Sequence, residues 1–300
     1  TATSAQTVNI KAGIIGPSSG TPVDVVIENK STHANSTISP TYGSSKNIGT
    51  GINDVTLIAT TVNLNGNITT VVNGSDKGDI SITGAANLDG DSVLDTSSSG
   101  GGITFSSTVD GGSNLDLLSG TGKVDIVGDL GAGTALTTLD INATGGTGTI
   151  EINDIGTASA AGVTGLTVLG TANTGTLTTD GTNYKFGGGI TIGPDYTMVG
   201  SPLASSFTTA GNVSFLGNVT VDGTLTVDTS GGNISIAGNI SSTGTDEVVS
   251  LSDGTGTGTI TLGGTVTSGD ITLIGDSGIS IAGNITSNKD GSAGAIALTG

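Results

Sequence analysis

The sequence contains no cysteine, no tryptophan and no arginine, and only one histidine and one methionine. Without cysteine the chain has no disulfides, thiolate metal sites or cysteine nucleophiles. Its seven basic residues are all lysine and stand against 25 acidic residues, which gives a net charge of −18. Nucleic acids and anionic lipid surfaces bind through lysine and arginine, so neither is an expected partner. No run of residues reaches the roughly 18 apolar positions of a membrane helix, so membrane insertion is not expected.

Large side chains are also scarce, since aromatic residues make up 2 % of the chain and charged residues 11 %. Disordered chains combine low hydrophobicity with high charge, and this chain has neither property. A wide globular core is difficult to fill without aromatic side chains, whereas valine, isoleucine and leucine can fill a narrow one. The composition therefore favours a thin, elongated, folded protein.

Glycine is abundant, with 54 residues, and it borders short phrases in which apolar and polar residues alternate. Gly78–Gly84 reads GDISITG, Gly122–Gly128 reads GKVDIVG and Gly232–Gly238 reads GNISIAG. Alternation over such short stretches between glycines indicates β-strands. No stretch has helical periodicity, and glycine interrupts every window. We therefore predict an all-β fold.

The strand phrases recur along the chain. Residues Ile234–Ile240 return unchanged at Ile279–Ile285, with a third variant at Thr259–Val266 between them. A repeat of about 19–27 residues with two or three short strands is typical of one coil of a right-handed parallel β-helix, or β-solenoid. At the corners between strands we expect glycine to supply positive φ and asparagine, as at Asn233 and Asn239, to stack on the next coil.

The repeat divides the chain into four predicted parts. Residues 1–60 depart from it and are interpreted as irregular N-terminal coils or a cap, because terminal repeats are usually atypical. Residues 61–181 and 209–300 follow the solenoid pattern. Residues 182–208 hold five of the eight aromatic or methionine side chains and are predicted to form an aromatic-rich excursion or loop. The last phrase has no capping sequence, so we expect the solenoid to continue beyond residue 300 or to be covered by another molecule.

The phrases GNISIAG, GTITL and GDITL resemble the repeats of large bacterial surface proteins. The repeats of filamentous haemagglutinin-like and autotransporter-type adhesins are similar to these phrases. The repeats of surface-layer and surface-fibre proteins are similar as well. The resemblance covers roughly residues 60–300 and includes no diagnostic motif, so no functional residue is carried over. It implies a right-handed parallel β-helix, an extracellular position at a bacterial cell surface, and a role as stalk, adhesin or coat.

Calcium is the one cofactor that the sequence suggests. Asp89, Asp91 and Asp95 place three carboxylates within seven residues in a glycine-containing segment. Calcium binds six to eight hard oxygen ligands, which aspartates and turn carbonyls can supply. The alternative is that these aspartates cap turns and keep the protein soluble.

Tyr184, Phe186 and Tyr196, within segment 182–208, form the candidate partner contact. Aromatic side chains exposed on a rod would anchor a host or cell-surface protein or glycan. The alternative is that they pack against the coils beneath them. Self-association, or contact with neighbouring solenoid segments, is the other expected interaction.

No catalytic residue is predicted. Carbohydrate-active β-helix enzymes need clustered carboxylates or a cation near the reacting bond, and the missing arginine and tryptophan oppose this function. The sequence therefore favours a non-enzymatic structural or adhesive module, the rigid rod of a large surface protein. A self-assembling surface-layer or filament subunit, assisted by calcium, is the alternative, and a carbohydrate-active enzyme ranks third.

Overall fold

The computed structural model describes residues 6–10, 13–29, 36–40, 47–142, 148–170, 175–198, 204–254, 257–290 and 294–300. Its regular structure is entirely β-strand, and within these residues no helix has the length and apolar character that a membrane crossing requires. The strands, in chain order, are β1 (Thr7–Ile10), β2 (Ile14–Ile15), β3 (Val23–Glu28), β4 (Thr37–Pro40), β5 (Ile48–Gly49), β6 (Ile52–Thr69), β7 (Ile80–Asp95), β8 (Ile103–Phe105), β9 (Val109–Asp110), β10 (Asn114–Leu118), β11 (Val124–Ile126), β12 (Thr138–Ile141), β13 (Ile150–Ile152), β14 (Thr167–Leu169), β15 (Thr176–Thr179), β16 (Asn183–Phe186), β17 (Ile190–Ile192), β18 (Asp195–Met198), β19 (Ala204–Thr209), β20 (Val213–Phe215), β21 (Val219–Val221), β22 (Thr224–Thr229), β23 (Ile234–Ile236), β24 (Ile240–Ser242), β25 (Val248–Ser252), β26 (Ile260–Leu262), β27 (Val266–Ser268), β28 (Asp270–Ile274), β29 (Ile279–Ile281), β30 (Ile285–Ser287) and β31 (Ile296–Thr299).

The strands stack in three columns of parallel pairs. Column A runs from β3 through the first parts of β6 and β7 to β8, β11, β13, β15, β18, β21, β24, β27 and β30. Column B contains β1, β4, the middles of β6 and β7, β9, and then β16, β19, β22, β25, β28 and β31. Column C contains β2, β5, the ends of β6 and β7, β10, β12, β14, β17, β20, β23, β26 and β29. The predicted all-β parallel solenoid is confirmed, with about 10 turns, and its hand stays a prediction.

The register of column A gives the length of each coil. Ile150 pairs with Leu177, 27 residues further along the chain, and Leu177 pairs with Tyr196, 19 residues further along. From Val55 onward every step of the column lies within these limits, which confirms the predicted coil length. The step from Val25 to Val55 spans 30 residues and includes a register shift within β3. The N-terminal coils are thus longer and less regular, although their strands belong to the same columns.

Except at the ends of the chain, as in β31 with four exposed residues, alternation within the strands sends every second side chain into one narrow core. In β20, for example, Val213 and Phe215 are buried whereas Ser214 is partly exposed. The buried side chains of successive coils form one continuous hydrophobic cluster, made mostly of isoleucine, valine and leucine. Burying one such side chain stabilises a fold by about 1.5–3 kcal/mol, so each coil gains stability mainly from the coils on either side.

Segment 182–208 belongs to the core, and the predicted excursion is wrong for the residues that the structure describes. Its strands β16 to β19 continue the three columns. The ring of Tyr184 stacks on Phe207 with centroids 4.9 Å apart, and Phe207 makes edge-on contacts with Tyr196 at 5.5 Å and Phe215 at 5.6 Å. We call Tyr184, Tyr196, Phe207 and Phe215 the aromatic cluster.

The aromatic cluster lies where column B changes shape. In the preceding coils column B consists of separate bridges, with Ile155 and Val163 on either side of a loop. In the next coil Ile155 pairs with Tyr184 and Val163 pairs with Phe186. These two partners both lie in β16, with no loop between them. From this point column B is a sheet of six strands with four to six residues each. The large rings therefore fill the core at the transition between two cross-sections.

Asparagine side chains connect neighbouring coils at the corners, as predicted. The backbone N–H of Asn239 donates to Oδ1 of Asn218 at 3.0 Å. In turn, Oδ1 of Asn239 accepts hydrogen bonds from the N–H and the hydroxyl of Thr265, at 2.9 and 3.0 Å. Asn233 makes the corresponding contacts beside column C.

We expect Asn239→Ala to lower the free energy of unfolding by about 0.5–1.5 kcal/mol, the net contribution of a hydrogen bond. The variant removes the oxygen that accepts from Thr265. Asn239→Asp is the matched control, because it keeps an acceptor of the same reach and should lose less. Urea unfolding followed by circular dichroism measures both. Equal losses would contradict the role of the acceptor.

Glycine forms columns of its own at another corner. Gly101, Gly122 and Gly148 occupy equivalent places in successive coils, and a Cβ on Gly122 or Gly148 would overlap the carbonyl oxygen of the preceding glycine. None of the three has φ in the left-handed region. Glycine is needed at these three positions because two backbones approach closely, whereas the positive φ expected at corners occurs at the neighbouring Gly100 and Gly120.

Candidate functional surface

In the C-terminal half of the solenoid, the outward residues of column A form a row of neutral hydroxyl groups along the stack of strands. We call such a row of outward residues, one from each strand, a rank. Each residue is the strand-pairing partner of the next, so their spacing is that of neighbouring strands, about 4.8 Å. Cross-strand contacts between such side chains stabilise the sheet. The rank consists of Thr178, Thr197, Thr220, Ser241, Thr267 and Thr286.

The six-stranded part of column B presents a second neutral rank. Its strands are the longest in this half of the chain, so this is the broadest sheet face there. The rank is made of small polar side chains and ends in an alanine. In register order it consists of Asn183, Ser206, Thr226, Ser250, Thr272 and Ala297.

The middle coils carry nearly half of the acidic residues. Residues 76–154, which we call the acidic belt, contain twelve of the 25 acidic residues and only two of the seven lysines. Lys123 contacts Asp125 at 3.0 Å and Glu151 at 2.7 Å, and these two carboxylates are partners in column A. These ion pairs are largely exposed and contribute little to stability.

Asp116 and Asp140 form an uncompensated pair in the acidic belt. They are direct partners in the pairing of β10 with β12, and both are partly buried. Burial raises the pKa of Asp116, and the negative charge of Asp91 adds to the effect. Burial likewise raises the pKa of Asp140, with a further contribution from the charge of Asp116. Burial and the neighbouring charge therefore disfavour the ionised form of both carboxyl groups.

The three aspartates of the predicted calcium site have separate partners. Asp91 accepts the N–H of Asn114, in the next coil, at 3.0 Å. Asp95 caps a turn by accepting hydrogen bonds from the N–H and the hydroxyl of Ser97 at 2.8 and 2.6 Å. Asp89 accepts a hydrogen bond from the side-chain amide of Asn87 at 2.5 Å. Among the described residues, no group of three or more histidine, cysteine or acidic side chains could hold a metal ion. Calcium binding at Asp89, Asp91 and Asp95 stays a prediction, and the contacts of Asp95 match the turn-capping alternative.

The predicted partner contact is corrected by burial. Tyr184, Phe186 and Tyr196 are 1 %, 3 % and 0 % exposed, so none of them is available to a partner on the surface. The hydroxyl of Tyr196 lies 2.8 Å from that of Thr179, and burial raises the pKa of Tyr196 to about 12. These side chains act in packing, which was the alternative interpretation.

No protein-family model, curated protein or solved structure gives a significant match to this chain. The surface ranks and the acidic belt are thus the observations from which a function can be argued. Sequence reasoning missed the ranks because their members are a whole coil apart. The signal was present in the central residue of each short column A strand, as in Val219–Val221 and Ile240–Ser242, and alignment of successive coils would have found it.

The raised pKa values predict greater stability in acid. A carboxyl group whose pKa is higher in the folded than in the unfolded chain adds stability at low pH and loses it as pH rises through the folded value. The pKa values of Asp54 and Asp129 are also raised, mainly by burial, whereas Lys289 lowers that of Asp270. We expect the melting temperature to rise as pH falls from neutral towards the ordinary aspartate value of 3.8.

Asp116→Asn tests the source of this pH dependence. The variant removes one charge of the Asp116–Asp140 pair, so it should melt higher than the parent at neutral pH and gain less on acidification. Asp125→Asn is the matched control, because Asp125 contacts Lys123 and its removal should bring no such gain. Thermal melting followed by circular dichroism across the pH range gives the melting temperatures of the parent and both variants for comparison. A parent chain that loses stability steadily on acidification would contradict the prediction.

Proposed function

We propose that this chain is a rigid rod module of a large extracellular protein at a bacterial cell surface, with a structural or adhesive role and no catalytic activity. The observation that carries the proposal is the continuous parallel pairing of column A, which extends from β3 to β30. A body in which each coil contacts only its neighbours is quasi-one-dimensional. Its length increases with the number of coils, which is the property a stalk requires.

Three kinds of contact between coils support rigidity. Parallel strand pairs connect neighbouring coils in every column, with hydrogen bonds directed along the stack. Asparagine and aspartate side chains add hydrogen bonds at the corners, as Asp79 does by accepting the N–H of Gly102 at 2.7 Å. Stacked glycines such as Gly122 and Gly148 fix the closest approach of the backbones. Bending the rod would disturb all three on one side at once.

The distribution of charge supports an exposed, soluble rod. The net charge of −18 repels other polyanions, and the acidic belt concentrates that charge in the middle coils. The outward ranks of columns A and B in the C-terminal half are hydroxyl-rich and nearly neutral. Glycans or proteins that bind through hydrogen bonds could contact these ranks without opposing charge, and this is the surface we assign to adhesion.

A second function, a self-assembling surface-layer or filament subunit, is favoured by the broad face of column B. Its outward rank from Ser206 to Thr272 carries no charged side chain. Apart from Asp228, which is exposed in the adjacent outward row, two such faces could pack against each other with little electrostatic repulsion. Acidic belts would repel unless cations screen them. Calcium would then assist assembly by screening or bridging carboxylates.

Electron microscopy of the purified chain in negative stain, with millimolar calcium and with chelator, separates these functions. Separate rods of uniform width in both conditions support the stalk. Ordered sheets or filaments that disappear on chelation support the surface-layer subunit. Compact globules in both conditions would overturn the rod. The double variant Asp116→Asn and Asp140→Asn is the matched control, because it should weaken any response to calcium that depends on the acidic belt.

Adhesion requires its own measurement. The chain immobilised on beads is tested for binding to bacterial and host glycans and to extracellular-matrix proteins. Ser250→Lys and Thr226→Lys place positive charges on the broad face, and both residues point outward from column B. Binding that these variants abolish supports adhesion through this face. Rods that bind none of these ligands would support a purely structural role.

A further inference from the structure

Two asparagines in the chain, Asn65 and Asn73, are followed by glycine, and the structure places them in contrasting surroundings. In an Asn-Gly pair the side-chain amide reacts readily with the next backbone nitrogen, because glycine has no side chain to hinder the approach. The reaction also requires the backbone to rotate freely around the pair. Whether it occurs therefore depends on how firmly the fold holds each site.

Asn73 lies at the start of an exposed turn. The backbone N–H groups of Asn73 and Asp76 each donate to the carbonyl of the other residue at 3.0 Å, which closes a two-residue loop. Gly74 has φ of 63°, and no heavy atom lies within 4 Å of the place where its Cβ would be. Within the described part of the chain, neither the side chain of Asn73 nor the N–H of Gly74 has a hydrogen-bond partner. Both reacting groups are therefore unhindered by neighbouring atoms, and within the described residues only the two hydrogen bonds of this exposed turn restrain the backbone around them.

Asn65 lies inside strand β6 at a register shift of the ladder, and the residues on either side of it are held, since Leu64 pairs with Leu88. Gly66 is paired with Ser92 in the ladder between β6 and β7. The side chain of Asn65 lies across Gly90, so that a Cβ added to Gly90 would be 2.6 Å from Oδ1 of Asn65. Reaction at this site would require local separation of the two strands.

We propose that Asn73 is a self-modification site, which converts to aspartate or isoaspartate through a cyclic imide, and that the ladder protects Asn65. The backbone nitrogen of Gly74 forms a bond to Cγ of Asn73, and the bond from Cγ to Nδ2 breaks. The proton of the Gly74 nitrogen passes to the leaving group, which departs as ammonia. Water then opens the imide ring at Cγ, giving aspartate, or at the backbone carbonyl, giving isoaspartate.

The modification adds charge to a crowded site. Asp54 already has a raised pKa, caused mainly by burial and in part by the charges of Asp76, Asp24 and Asp79. A carboxylate at residue 73 would stand in the same loop as Asp76. Isoaspartate also inserts a methylene group into the backbone, which is incompatible with the present pairing of residues 73 and 76. The effect stays local, because the hydroxyl of Thr70 bonds the carbonyl of Gly78 at 2.6 Å and holds the base of the loop.

Peptide mass spectrometry of the aged protein tests the proposal. Cleavage at Lys46 and Lys77 leaves both asparagines in one tryptic peptide, and fragment ions assign the modified residue. In the folded chain at mildly alkaline pH we expect Asn73 to convert at least about tenfold faster than Asn65, which corresponds to about 1.4 kcal/mol for opening the ladder. In urea the two rates should become similar. Equal rates in the folded chain, or no conversion of Asn73, would overturn the proposal.

Gly74→Ala supplies the matched control. The added methyl group meets no neighbour but hinders the attack, so conversion of Asn73 should slow while Asn65 behaves as in the parent. Because φ of Gly74 is 63°, alanine also strains the turn, and circular dichroism of the variant is compared with the parent to show that the fold is kept. Enzymatic methylation of isoaspartate gives an independent readout of the product. An unchanged rate in Gly74→Ala would contradict attack by this nitrogen.

Discussion

Phe207→Ala is expected to lower the free energy of unfolding by about 3–5 kcal/mol, the range for an aromatic side chain removed from a packed core. Phe207 is 1 % exposed and contacts three other rings of the aromatic cluster. The narrow core offers no side chain that could move into the space without leaving its own coil. The expected loss of unfolding free energy therefore includes the full cost of the cavity that the removed ring leaves.

Because a solenoid can unfold in parts, urea unfolding is combined with hydrogen exchange measured by mass spectrometry. We expect protection to fall first in the strands around the cluster, β15 to β20. Thr208→Ser is the matched control, since its side chain points outward in the same strand and should change stability by no more than about 0.5 kcal/mol. Similar losses in both variants would show that the cluster does not support the stack.

Gly122→Ala should destabilise the chain by about 3 kcal/mol or more, at the upper end of the effects of overpacking. A Cβ at residue 122 would overlap the carbonyl oxygen of Gly101, and backbone atoms cannot move aside as a flexible side chain could. Gly148 stacks on Gly122 in the next coil, so a displaced corner would disturb that contact as well.

Gly112→Ala separates this clash from the general properties of glycine. No heavy atom lies within 4 Å of a Cβ at residue 112, and φ there is outside the left-handed region. Since alanine restricts the unfolded chain, this variant should be neutral or more stable by about 0.4–1 kcal/mol. Thermal melts of the two variants under identical conditions provide the comparison. If both lose the same stability, close approach of backbones is not what requires glycine at residue 122.

Part of the candidate surface could be predicted from the sequence. The link through Asn239 was expected, because asparagine before isoleucine recurs and a recurring polar residue at a corner can bond its copy in the next coil. The positions of Tyr184 and Tyr196 were not predicted correctly. Their concentration in one short segment suggested a surface excursion, whereas their strands continue the columns and their rings point inward.

The sequence by itself determined the strands and the length of the coil. Alternation with a period of two is a local property, and glycine-bordered phrases at intervals of 19–27 residues can be counted along the chain. Tertiary structure alone decided which residues become neighbours between coils. The register of two strands in consecutive coils depends on the whole path of the intervening corners, and a shift of one residue would reverse every side chain. That register pairs Asp116 with Asp140, stacks Tyr184 on Phe207 and sets Gly122 against Gly101.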